Sequence, residues 1–229
     1  MIGWIGYTHL FLFGFLLPLV AIRRARTLSA GQYPPRRKLF VSIVVQHSMF
    51  ILFSLLVARA EWIDLFAPPA KPMTSSLLAM AVLAAFIAFM RPRWKRNVIN
   101  RERNIHLFMP RGCLEKGMWV LISALAGFGE ELIYRGVLWE LLTRMTGSLL
   151  PAALLAAIAF AAGHYYQGWK STAVIFVFSL LFHALVWQTG SLIPAMLVHF
   201  LYDAMAGMMY SRFGEKFGYP AEGIPVSTD

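Results

Sequence analysis

Glu130-Glu131-Leu132-Ile133-Tyr134-Arg135 is the stretch on which the reading of this chain turns. Two adjacent carboxylates and a guanidinium stand inside an apolar run that reaches from Met118 to Met145. A charge at bilayer depth costs about 2.5–3.5 kcal/mol even on the lenient insertion scales, so these groups need partners. Glu131 and Arg135 are four apart, share a helical face and suit an ion pair. Glu130 points about 100° away from Glu131 on a helix, and is the carboxylate that this pairing leaves free.

The rest of the chain has the character of the run around that stretch. Of its 229 residues 59% are hydrophobic and 14% charged, with a mean hydropathy of +0.61. A soluble domain carries about 25% charged residues. The composition is that of an integral membrane protein. A net charge of +10 does not point to a nucleic-acid partner, because the basic residues gather in two loops between apolar runs. That is the pattern of membrane topology. The single cysteine, Cys113, excludes an internal disulfide, and as a nucleophile it would want a neighbouring base.

Seven apolar runs follow in order. The first, Ile2 to Ile22, is long enough to span, since about 20 residues cross the hydrocarbon core. Its positive charges come after it, at Arg23, Arg24 and Arg26, so it is read as a retained helix and not a cleaved signal. The loop up to Lys38 carries six basic and no acidic residues. The second run is Leu39 to Ala58 and the third Met73 to Met90, with Arg59, Glu61, Asp64 and Lys71 between them. Gln46 and His47 in the second run are read as a buried or interfacial polar pair. Arg91 to Gly117 is the longest connection, with eight basic and two acidic residues, and suits an anionic leaflet. The fourth run carries the acidic pair. Gly147-Ser148 makes a tight turn into the fifth, Leu149 to His164; the sixth is Ser171 to Trp187 and the seventh Leu192 to Tyr210.

The predicted fold is therefore all-α, a polytopic transmembrane bundle of about seven helices with its site inside the membrane. Residues 1–112 supply the first three helices and the basic loop, 113–210 a four-helix core that carries the acidic pair, and 211–229 a polar tail. The positive-inside rule puts both basic loops in the cytoplasm, the N-terminus outside and the C-terminus inside.

Polar residues recur in the later runs. Phe160 and His164 lie in the fifth; His199 and Asp203 lie four apart in the seventh, where a carboxylate can orient an imidazole. His183 stands alone in the sixth and is read as a helix–helix hydrogen-bonding group. Depth, at about 1.5 Å per residue, sets Glu130 and His199 at mid-membrane and His164 nearer the cytoplasm. Two mechanisms can be built from these types. A carboxylate can act as general base on water while imidazoles donate to an oxyanion. Alternatively Glu130, His164 and His199 can bind zinc, although no HExxH is present. A third possibility is that the buried pairs only hold helices together, and a fourth is proton relay in an ion-coupled transporter.

At these residues the chain resembles the CPBP family, the CAAX prenyl proteases and bacteriocin-processing enzymes also called Abi. Its EExxxR motif is matched by Glu130, Glu131 and Arg135, its FxxxH motif by Phe160 and His164, and its third motif by His199 and Asp203. Gln167-Gly168 and Gly190-Ser191-Leu192-Ile193-Pro194 resemble the bacterial form, and the likeness runs from Gly117 to Gly207. The resemblance implies an intramembrane endopeptidase open to the cytoplasm, in which Glu130 activates water without a metal and His164 assists. His199 and residue 203 would stabilise the oxyanion, with Glu131, Arg135 and Phe160 organising the site. The family has Asn where this chain has Asp203. An ionised Asp203 cannot donate, so it is expected to orient His199. Expected partners are membrane lipid and a peptide or membrane-protein substrate, in a bacterial cytoplasmic membrane. The alternative within the family is a non-catalytic immunity or scaffold protein.

Overall fold

In the computed structural model, which describes residues 1–29 and 35–220, every one of the seven apolar runs is a helical rod. No strand occurs among the described residues. The first rod is α1 (Trp4–Phe11), a π-helical segment (Leu12–Leu16) and α2 (Leu17–Ser29). The second and third are α3 (Arg36–Ala60) and α4 (Pro72–Ile99), and a short α5 (Ile105–Phe108) follows. The fourth is α6 (Gly112–Glu131), a second π-helical segment (Leu132–Leu138) and α7 (Trp139–Thr146). Then come α8 (Leu149–Gly163), α9 (Trp169–Thr189) and α10 (Ile193–Phe217). Five rods are long and apolar enough to cross a membrane: Trp4–Ala25, Arg36–Ala60, Pro72–Ile99, Gly112–Thr146 and Trp169–Thr189. α8 is apolar but only 15 residues long. Exposed Leu52, Leu77, Leu150 and Val177 give the bundle an apolar outer surface, as a lipid-facing one must have.

The connection expected from Arg91 onward is shorter than its charges suggested. α4 runs on to Ile99 with Pro92 inside it. Trp94 and Val98, one turn apart, are fully buried against Tyr210 and Phe213 of α10, so packing holds the last two turns while Arg91 and Arg96 face outward. The seventh run also continues beyond Tyr210, and residues 211–217 of the expected tail are helical. Of the expected loop and tail, residues 30–34 and 221–229 lie outside the described residues.

α6 and α10 pack at close range. A Cβ on Gly127 would lie 2.7 Å from Phe200 Cα, so only glycine admits α10 at that point. Small residues are how membrane helices come this near. Trp119 of α6 donates from Nε1 to the Asp203 carbonyl at 2.9 Å and fixes the height of α10 against α6. The two π-helical segments meet edge to face through Phe13 and Tyr134, ring centres 6.2 Å apart. The core around them contains Val137, Leu138, Leu141, Ala156 and Phe160. Such π-helical turns recur at functional sites. Here one begins on the residue after Glu131.

Candidate active site

Glu130 and Glu131 are the last two residues of α6, and Arg135 lies within the π-helical segment beyond them. Glu131 is fully buried, and Arg135 Nη1 donates to its Oε1 at 3.0 Å, which is the expected pairing. The guanidinium reaches further: Nη2 donates to Ser179 Oγ on α9 at 2.8 Å, and its carbon sits 4.4 Å over the Phe160 ring and 5.3 Å over Phe182. Arginine suits this place because one planar fork can donate and stack at once. Phe160 is thus the apolar floor beneath the cation.

Glu131 has a second partner. His199 Nδ1 donates to the same Oε1 at 2.7 Å. His199 Nε2 then faces Asp203 at 3.5 Å and Glu130 Oε2 at 3.9 Å, and Phe182 stacks on the ring at 5.3 Å. The carboxylate that orients His199 most tightly is therefore Glu131, with Asp203 a looser and partly exposed neighbour. Sequence spacing alone cannot find this, because Glu131 comes from another helix.

Glu130 lies on the accessible side, its side chain 16% exposed where that of Glu131 is 0%. Its Oε2 faces two imidazoles, His164 Nε2 at 3.8 Å and His199 Nε2 at 3.9 Å. His164 ends α8, and its Nδ1 donates to the Phe160 carbonyl at 2.8 Å, one turn back. That explains the four-residue spacing of the second motif: Phe160 supplies both the ring under Arg135 and the carbonyl that aims His164. The depth estimate set His164 apart from Glu130. The structure brings the two together.

Gly168, at φ +89, makes the turn into α9 that a side chain would strain. Beside it, burial pushes the Tyr166 phenol up to about 12, with the Glu130 and Asp203 carboxylates adding to the rise. The neutral hydroxyl accepts from Gln167 Nε2 at 3.5 Å, and its ring lies 6.2 Å from that of His164. His183 is outside this group, but it is not the helix–helix hydrogen-bonding group expected: it is buried, donates from Nδ1 to the Ser179 carbonyl of its own helix at 2.9 Å, and meets the neighbouring rod only through edge-on packing against Trp139.

One member was not read from the sequence as part of a site. His47 of α3 brings Nε2 to 3.2 Å from Glu130 Oε1. A lone polar pair in an apolar run carries no motif, so only the packing of α3 on α6 places it.

No cluster of three or more His, Cys, Asp or Glu side chains suited to a metal ion occurs among the described residues.

An all-α membrane protein that locks one carboxylate to an arginine and sets a second among imidazoles defines a class with an ionisable site enclosed by helices. Residues 114–205 match the family model described as type II CAAX prenyl endopeptidase Rce1-like, a likeness that the three motifs led us to expect. The match takes in less than half of the chain and every sequence-named site residue; His47 lies outside it. No curated protein and no solved structure matches the chain.

Proposed function

We propose that this protein is an intramembrane endopeptidase that hydrolyses a membrane-associated peptide or protein with Glu130-activated water and no metal. The observation that carries the reading is the gap between Glu130 Oε2 and the Nε2 atoms of His164 and His199, at 3.8 and 3.9 Å. These separations are too long for direct hydrogen bonds and suit a water that bridges Glu130 Oε2 to an imidazole. Glu130 takes a proton from that water as its oxygen attacks the peptide carbonyl carbon. The carbonyl electron pair moves onto oxygen, and His199 Nε2–H, held by Glu131, donates to the oxyanion. His164, aimed by the Phe160 carbonyl, orients the water. Glu130 then passes its proton to the amide nitrogen, the C–N bond breaks, and an amine and a carboxylic acid leave.

Residues 113–210 are the catalytic core in this reading, with 1–112 packed against it. The basic stretch from Arg91 to Lys116 supports a cytoplasmic placement of that side and an outside N-terminus. The test is purified protein against a peptide library, wild type beside Glu130→Gln. Gln keeps the shape but takes no proton, so turnover is expected to fall by about 10²–10⁴ with the fold kept. Near-normal turnover by this variant sinks the mechanism. So does stoichiometric zinc whose removal abolishes activity and whose return restores it.

A further inference from the structure

His47 comes from the part of the chain that the family model does not match, yet it touches the carboxylate on which the proposed reaction depends. Its Nδ1 lies 3.0 Å from the Ile43 carbonyl, one turn back on α3. A carbonyl oxygen only accepts, so Nδ1 carries the hydrogen. Nε2 then meets Glu130 Oε1 at 3.2 Å. A bare ring nitrogen against a carboxylate oxygen would be acceptor on acceptor, so the pair shares a proton. Whichever of the two holds it, Oε1 is engaged, and only Oε2 is left to face His164 and His199.

A second observation shows that α3 is built to come this close. A Cβ on Gly129 would lie 2.8 Å from Ile51 Cγ1. Ile51 is one turn beyond His47 on α3, and Gly129 is the residue before Glu130. The glycine lets α3 seat against the end of α6, and His47 arrives at the carboxylate as a result. Both side chains keep some exposure, so the contact is part of the accessible side and not of the sealed Glu131–Arg135 floor.

We propose that His47 is a positioning residue for Glu130: by occupying Oε1 it fixes the carboxylate so that Oε2 meets the attacking water. This rests on the reading of Glu130 as general base. It also gives the N-terminal helices a part in the chemistry.

The test uses two amides of different reach in the full-length protein, on a peptide that the wild type cleaves. In His47→Gln the amide nitrogen reaches the place of Nε2. In His47→Asn it reaches only the place of Nδ1, keeping the Ile43 bond and losing Glu130. Misplacing a catalytic group by about 1 Å can cost about 100-fold. His47→Asn is therefore expected to lower kcat by about 10–100-fold with KM nearly unchanged, and His47→Gln to recover most of that loss. Equal kcat in the two variants, or a change confined to KM, overturns the proposal. Glu130→Gln in parallel separates the two readings: if it keeps turnover, the base assignment has failed and not the contact. The contact has its own readout, the infrared carboxylate band that disappears in Glu130→Gln. That band is expected to move in His47→Asn and to stay in His47→Gln; a band indifferent to both overturns the proposal without reference to activity.

Discussion

His199 Nδ1 and Glu131 Oε1 lie 2.7 Å apart, and this one hydrogen bond joins α10 to the end of α6. The same oxygen accepts from Arg135 at 3.0 Å, and Arg135 in turn reaches Ser179 on α9. Three rods are thereby tied through a single carboxylate, and the position of His199 over Glu130 is inherited from it.

Glu131→Gln is expected to cost both stability and turnover. It strands Arg135 in a sealed interior and weakens the hold on His199. Breaking a buried pair by neutralising one member costs about 3–5 kcal/mol. The check is yield and thermal midpoint in detergent beside kcat. Wild-type stability in this variant, together with unfolding of Glu130→Gln, would mean that the two glutamates have exchanged roles.

Asp203→Asn is expected to be mild. Asp203 stands 3.5 Å from His199 with its side chain 31% exposed, while Glu131 already holds the other ring nitrogen. Ion pairs of that exposure are worth about 0.2–1 kcal/mol, so kcat should fall by no more than about fivefold. A hundredfold loss in steady-state kinetics would make Asp203, and not Glu131, the residue that orients the imidazole.

Gly127→Ala is expected to push α10 away from α6, because the added methyl meets the Phe200 backbone, which cannot rotate aside. Overpacking of this kind costs about 1–3 kcal/mol, and His199 is the next residue along. Gly117→Ala, on the same helix with nothing within 4 Å of the added Cβ, is the control. Thermal midpoints and kcat should fall only in the first variant.

Acid should loosen the loop beneath the bundle. Burial pushes the His106 imidazole down from 6.5 to about 4, and the Arg36 and Arg111 guanidiniums push the same way against Glu115. Between those values the unfolded chain binds a proton that the folded one refuses. Its contribution to stability is thus whole above pH 6.5 and is lost as pH falls toward 4. Thermal midpoints measured from pH 7 to 5 should drop less steeply for His106→Gln than for the wild type. Parallel slopes would show that His106 does not titrate with unfolding.

The seven rods were legible because apolar runs of about 20 residues have one structural outcome in a membrane. The motif residues were legible because charge is too costly there to be incidental. What escaped was whatever depends on a neighbouring helix. Arg91 reads as the start of a loop until Trp94 and Val98 are seen buried against α10. His199 reads as the partner of Asp203, four residues away, until Glu131 arrives from α6. His47 reads as an idle polar residue until α3 is laid against Gly129 and Glu130. The estimate of depth misplaced His164 because it took the fifth run as a full crossing.

That short fifth rod has a consequence for the lipid. At about 1.5 Å per residue the 15 residues of α8 reach about 22 Å, against a hydrocarbon core of about 30 Å. Leu150, Leu155 and Ile158 face outward along it, so the bilayer meets a hydrophobic mismatch on this flank, of a kind that local thinning relieves. Headgroups and their water are drawn toward the end of the helix, where His164 stands beside Glu130. In the proposed reaction, that water is the co-substrate Glu130 activates.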